Sequence, residues 1–221
     1  MDVSLYGEVG LMFEDRGDAG QQLAQALSAY GGREDVVVLG LPRGGIPVAF
    51  EVAQALSAPL DVFIVRKLGV PWNPELAMGA IASGGVQVMN DDVVRSSGVS
   101  GEQIERVVEQ ETRELEEREE IYRGARPTVN LGGKTVILVD DGLATGATMR
   151  AAVRAVRARG AAQIVVAVPT APPETCSDFQ RLVDETICLT TPRRFMGVGG
   201  SYRRFAQTTN DEVRELLSRA K

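Results

Sequence analysis

Two adjacent carboxylates, Asp140 and Asp141, stand between four β-prone apolar residues, Val136 to Val139, and a turn of small residues, Gly142 to Thr148. A continuous apolar run of this kind reads as a strand buried on both faces. The turn opens an Ala/Arg-rich stretch, Met149 to Arg159, of helical character. A Gly/Thr turn at a helix start offers unpaired backbone N–H groups and the positive end of the macrodipole, which suits a phosphate. The carboxylates cannot serve that same phosphate. They suit sugar hydroxyls, which donate to them, or a positive charge developing in a reaction. The plainer alternative is an acidic pair closing a strand before an ordinary helix.

The chain of 221 residues has no histidine. This excludes Ser-His-Asp and Cys-His catalysis, HExxH zinc sites and histidine general bases together. Chemistry here must use carboxylates, Lys/Arg, backbone donors or a hard metal ion, and magnesium with a phosphorylated substrate meets that constraint. A net charge of −6 argues against nucleic acid as the main partner. No segment has the length and apolarity of a membrane span and the N-terminus has no signal pattern, so a cytoplasmic protein without a membrane partner is expected. The two cysteines, Cys176 and Cys188, read as buried thiols and not as a disulfide or metal pair.

Other elements must position the acid pair. Asp15 to Tyr30 has helical spacing ended by Gly31-Gly32, and Met1 to Gly10 carries no clear signal. Val36 to Leu41 reads as a strand, followed by Pro42-Arg43-Gly44-Gly45 and a helix over Ile46 to Ser57. Gly44 and Gly45 allow backbone amides to approach a ligand, and Arg43 adds positive charge. A strand over Leu60 to Val65 is expected to end in Arg66-Lys67, before a turn-rich stretch, Leu68 to Glu75. Trp72 lies in that stretch and is expected to pack it, with a lid or stacking role as the alternative. Ala77 to Ala82 and Val86 to Met89 read as a hairpin.

Ser100 to Arg123 is a long helix with nine Glu and four Arg. Its narrow apolar face is interrupted by Glu111, and Glu102–Arg106 and Glu109–Arg113 are spaced to pair. The expected placement is protruding and solvated, with a role over the site or at a subunit interface as alternatives. Strands over Ala161 to Val168 and Glu185 to Leu189 flank a helix over Glu174 to Val183. Thr190 to Phe205 mixes aromatics with four Arg; it reads equally as a ligand-stacking segment or as a clamp whose Phe195, Tyr202 and Phe205 fill the core. Asn210 to Ala220 is a terminal helix. The alternation predicts an α/β protein with one doubly wound, mainly parallel sheet. Two other motifs fail: Gly132-Gly133-Lys134-Thr135 has Thr128 where a P-loop needs its first Gly, and Gly197-Val198-Gly199-Gly200 has Tyr202 in the last position of GxGxxG.

The stretch VILVDDGLATGATM, Val136 to Met149, resembles the 5-phosphoribosyl-1-pyrophosphate (PRPP) motif of the type I phosphoribosyltransferases. The resemblance implies that Asp140 and Asp141 hold the ribose 2′- and 3′-hydroxyls. Ala144, Thr145, Gly146, Ala147 and Thr148 would wrap the 5′-phosphate. Arg43, Gly44 and Gly45 would bind pyrophosphate, with a non-proline cis peptide expected between Pro42 and Arg43. Arg66 and Lys67 would be basic residues at the leaving group. The resemblance further implies transfer of the phosphoribosyl group to a nitrogenous base. Mg2+ would be held mainly by substrate, with Asp140 or Asp141 as its protein ligands. One domain over 1–221 is expected, with a helical insertion at about 92–127, a small hood or clamp, and a homodimer as the assembly. Ala144 replaces the Asp that members acting on 6-oxopurines generally carry, so the turn looks closer to adenine-, orotate- or uracil-type members. Gly142 and Ala147 replace the commoner Val/Leu and Gly. A regulatory, non-catalytic member of the fold and an unrelated metal-dependent hydrolase are the alternatives.

Overall fold

The computed structural model describes residues 12–124 and 126–220; the stretch Met1 to Gly10 lies outside them. In chain order the elements are α1 (Arg16–Ala26), β1 (Val36–Gly40), α2 (Gly45–Leu56), β2 (Leu60–Val62), β3 (Val65–Val70), β4 (Asn73–Ala82), β5 (Val86–Met89), α3 (Asp91–Ser97), α4 (Gly101–Arg123), β6 (Thr135–Val139), α5 (Ala147–Ala158), β7 (Gln163–Thr170), α6 (Pro173–Gln180), β8 (Glu185–Thr190) and α7 (Asn210–Arg219).

Five strands form one sheet in the order β2-β1-β6-β7-β8, and every neighbouring pair is parallel. Both faces are covered, which explains apolar runs in place of alternation. Val36, Val38, Ile137 and Val139 join the core under α1, α2, α4 and α7, whereas Val37, Leu39, Val136 and Leu138 join the core under α5 and α6. The strand order reverses between β1 and β6. Loops leaving the carboxyl ends of those two strands therefore flank a crevice, the usual ligand position in an open α/β sheet.

The stretch Leu60 to Val65 is not one strand ending in Arg66-Lys67. β2 stops at Val62, Phe63 N–H donates to the Gly40 carbonyl, and Ile64 exchanges hydrogen bonds with Ser83. The chain thus leaves the parallel sheet and enters a three-stranded antiparallel sheet, β3-β4-β5. Arg66 and Lys67 lie inside β3. Most of the segment read as turn-rich is strand, with Pro71 and Trp72 at the tip of the β3–β4 hairpin. Trp72 does not pack that tip; it is 57% exposed. Gly69 sits at a register shift where a Cβ would meet the Pro74 carbonyl at 2.5 Å, so the strand stays paired only with glycine there.

The long helix is found, capped by Ser100 and Gln103 in a reciprocal capping box. It is not simply protruding. Leu115, Tyr122 and Arg123 are buried, Tyr122 Oη donates to Asn210 Oδ1 at 2.9 Å, and Arg123 pairs with Asp61 and Glu119. Glu111 interrupts the apolar face because it faces Arg66 at 2.6 Å. The exposed pairs Glu102–Arg106 and Glu109–Arg113 form as their spacing implies. Among the described residues no helix is long and apolar enough to cross a membrane.

The cysteine expectation is overturned. Cys176 on α6 and Cys188 on β8 are joined in a disulfide, with Cα atoms 6.5 Å apart. The two elements are consecutive, and β8 returns alongside β7 directly beneath α6, which brings residues twelve apart into bonding range.

Candidate functional site

β6 ends at Val139, so Asp140 and Asp141 emerge at the carboxyl end of the central strand. Across the crevice, β1 ends at Gly40 and leads to Leu41, whose N–H donates to the Val139 carbonyl at 2.9 Å. That bond locks the two loops together at their roots. The peptide between Pro42 and Arg43 is cis, as the resemblance implied. Gly44 and Gly45 then pack directly on the acid pair. A Cβ on Gly44 would lie 2.0 Å from Asp141 Oδ2, and one on Gly45 would lie 2.8 Å from Asp140 Cα. Gly44 has φ −62°, an ordinary helical value, so its requirement for glycine is one of space and not of conformation.

The turn after the acid pair is braced from behind and open in front. Leu143 N–H donates to the Thr170 carbonyl, and Thr175 Oγ1 donates to the Ala144 carbonyl at 3.0 Å. Gly146 has φ +71° and rests on Phe179, whose ring atom would be 2.6 Å from a Cβ there. Glycine is needed at this position on both counts. Ala144, Thr145, Ala147 and Thr148 are exposed. α5 begins at Ala147 after an N-cap, Gly146, that has no side chain to offer; the Ala147 N–H makes one long bond to Thr145 Oγ1 at 3.5 Å, and the next amides of the first turn are available to an anion. Gly142 departs from the bulkier residue common in the resembling motif, and Val198 fills the space: a Cβ at Gly142 would meet Val198 Cγ1 at 2.7 Å.

Asp141 has a partner that the sequence did not reveal. Arg16 Nε and Nη2 both reach Asp141 Oδ2 at 2.8 Å, with the two side chains 12% and 14% exposed. Arg16 Nη1 donates to the Ala206 carbonyl at 2.6 Å, and Phe205 lies under the guanidinium, 3.9 Å from carbon to ring centroid. Tyr202 is buried, stacked between Phe13 and Phe205, and its Oη donates to the Asp141 carbonyl at 2.6 Å. The segment Thr190 to Phe205 is therefore a clamp at Tyr202, while Phe205 covers Arg16. Residues 201–204 are pinned to 13–14 by backbone hydrogen bonds.

The pair is electrostatically uneven. Burial, and then the neighbouring Asp141 charge, push the Asp140 carboxyl well above the usual carboxylate range. Burial raises Asp141 as well, and Arg16 opposes that rise. Burial beside this negative charge pushes the Tyr202 phenol up, keeping it a neutral donor. Asp140 Oδ1 accepts from the Asp141 N–H at 2.9 Å, which fixes its rotamer.

Of the residues singled out from sequence, Gly44, Gly45, Asp140 and Asp141 come together, with Arg43 one residue from the contact and the turn 144–148 beside it. Among the described residues no side-chain hydrogen bond or ion pair joins Arg66 or Lys67 to them. Arg66 is engaged by Glu111 and Glu114, and Lys67 by Glu75 at 3.2 Å. The described residues contain no group of three or more His, Cys, Asp or Glu side chains placed to hold a metal.

An open parallel sheet with an acid doublet and an uncapped helix start beside its switch point defines an α/β protein of the small-ligand-binding, doubly wound class. The chain belongs to the phosphoribosyl transferase domain family, whose model matches residues 13–191. It is 52% identical over 209 residues to a protein of Mycobacterium tuberculosis (strain ATCC 25618 / H37Rv) named "Putative phosphoribosyl transferase Rv0571c", covering 95% of this chain. The corresponding protein of strain CDC 1551 / Oshkosh matches equally. This chain spans about half, 47%, of the length of those relatives. Among solved structures, TT1426 from Thermus thermophilus is similar with a TM-score of 0.84 and 43% identity, covering 93% of this chain and 97% of that one.

Proposed function

We propose that this chain is a magnesium-dependent phosphoribosyltransferase, moving the 5-phosphoribosyl group of PRPP to a nitrogenous base with release of pyrophosphate. The observation that carries this reading is the direct packing of the Gly44-Gly45 loop on the Asp140–Asp141 doublet, beside the uncapped start of α5. The 5′-phosphate would bind the amides of Ala144 to Thr148, and the ribose hydroxyls would donate to Asp140 and Asp141. The diphosphate would bind along Arg43 to Gly45. The C1–O bond breaks with its electron pair leaving on diphosphate while the base nitrogen forms the new C1–N bond, inverting C1. No covalent enzyme nucleophile is needed, in keeping with a histidine-free chain.

Two carboxylates with no third ligand among the described residues fit a metal held mainly by the substrate's phosphates, with Asp140 or Asp141 completing its shell. Mg2+ supplies charge neutralisation of the diphosphate when bound. Asp140 and Asp141 orient the sugar and favour the cationic ring of the transition state. We further read the chain as one domain over 1–221 with a helical insertion at about 92–127, acting in the cytoplasm as a homodimer. Ala144 disfavours a 6-oxopurine acceptor, which leaves adenine-, orotate- and uracil-like bases.

The test is a screen of such bases with PRPP and Mg2+, scored by pyrophosphate release. Release with one base class supports the transferase. One observation favours a regulatory protein that binds PRPP without turnover: Arg66 is engaged by Glu111 of α4 and Lys67 by Glu75 of the neighbouring strand β4. PRPP binding without pyrophosphate release for any base would establish that reading instead. Metal-dependent phosphate release without PRPP would point to a hydrolase.

A further inference from the structure

Arg66 and Lys67 are tied to Glu111 and Glu75, yet one cation does stand in the crevice. Arg16 is the first residue of α1 and is brought to the acid pair across 125 positions of sequence. A guanidinium carries five N–H donors in a planar fork. Here one N–H each of Nε and Nη2 points to Asp141 Oδ2 and one of Nη1 to the Ala206 carbonyl. Nη1 and Nη2 each keep one further N–H without a partner among the described residues. Phe205 covers one face of the group. On the loop side, a Cβ at Gly44 would lie 3.3 Å from Arg16 Nε. The group is thus oriented, largely buried and in contact range of the loop assigned to pyrophosphate.

We propose that Arg16, alongside the Arg43 loop, binds the diphosphate of PRPP and stabilises it as the leaving group, the task expected of Arg66 and Lys67. This rests on the PRPP reading above. The guanidinium fork matches phosphate oxygens, and its side chain is only 12% exposed beside the loop. It exchanges no proton: the electron pair of the broken C1–O bond stays on diphosphate, and the two remaining N–H groups of Arg16 donate to it. Asp141 has two roles in consequence, accepting from the ribose and holding Arg16 in place.

The test is calorimetric titration of the full chain, in Mg2+, with inorganic pyrophosphate, ribose 5-phosphate and PRPP as separate probes. Arg16→Gln is expected to weaken pyrophosphate and PRPP by about tenfold to a hundredfold, the effect of losing hydrogen bonds to a charged group. Ribose 5-phosphate should change by less than about threefold on the same scale. Arg16→Lys keeps the charge and should recover part of the pyrophosphate affinity, which also guards against a Gln variant that fails to fold. Three outcomes overturn the proposal. Pyrophosphate affinity is unchanged, both probes weaken equally, or ribose 5-phosphate binds more tightly because Arg16 merely blocked Asp141. If the wild-type chain binds none of the three probes, the PRPP reading itself has failed.

Discussion

Two arginines tie distant elements to the carboxyl edge of the parallel sheet, and they are compensated differently. Arg123, from the end of α4, meets Asp61 and Glu119 and also donates to the Val62 carbonyl at 2.9 Å. Its two carboxylates outweigh the burial that would discharge it, so its affinity for the proton is raised. Arg16 meets one carboxylate, Asp141, and the adjoining Asp140 has no basic side chain bonded to it among the described residues. The doublet's protons are correspondingly held too tightly. One cluster is complete within the protein. The other is short of positive charge and of hydrogen-bond donors, as a site awaiting sugar hydroxyls and a metal-bound anion would be.

The strongest way to break the first cluster is Arg123→Leu. It leaves Asp61 and Glu119, 13% and 21% exposed, without the cation they share, which should cost about 3–5 kcal/mol of stability, measured by urea unfolding. The corresponding break in the second cluster should appear in turnover, not in stability. Asp141→Asn is expected to lower pyrophosphate release about a hundredfold to a thousandfold while leaving the circular dichroism spectrum unchanged. Near-normal release would remove the mechanism. Gly44→Ala sharpens the contrast because it adds one carbon and no charge. Its Cβ must displace a carboxylate oxygen 2.0 Å away, so PRPP affinity should fall roughly tenfold to a hundredfold.

The same comparison explains what can be read from sequence. Strand, acid doublet, turn and helix are contiguous in Val136 to Arg159, and each obeys a local rule, so the sheet edge that carries the acid doublet is legible. Pro42 to Gly45 is legible for the same reason. Arg16 is not: nothing at a helix start capped by Asp15 announces an acid 125 residues away. Arg66 and Lys67 look like a strand end because a basic pair follows an apolar run, whereas they lie inside β3, and Glu111, on a helix further along the chain, pairs with Arg66. In the sequence Glu111 looks like a defect in an apolar stripe, and only the packed structure supplies its partner. The disulfide is hidden because β8 folds back under α6, a tertiary event invisible in the spacing of two cysteines.

The finest test concerns Asp140, whose carboxyl is pushed up by burial and by Asp141. The unfolded chain has the ordinary carboxylate affinity, so over the interval between that value and the raised one the native state binds more protons than the unfolded state. Stability therefore falls as pH rises through that interval, so burying the Asp140 carboxyl beside Asp141 is a net destabilising element above the ordinary carboxylate range. Asp140→Asn removes the charge but retains an Oδ1 acceptor for the Asp141 N–H. The melting temperature at pH 7 should rise by roughly 2–4 °C, the shift that about 1 kcal/mol produces in a chain of this size. The gain should shrink as pH is lowered through that interval into the ordinary carboxylate range. Turnover should fall in the same variant, because a neutral amide is a poorer acceptor for ribose hydroxyls and gives no support to a cationic ring. A variant equally stable at pH 7 and in the ordinary carboxylate range would show that the doublet is already neutralised, and the contrast with Arg123 would then lose its basis.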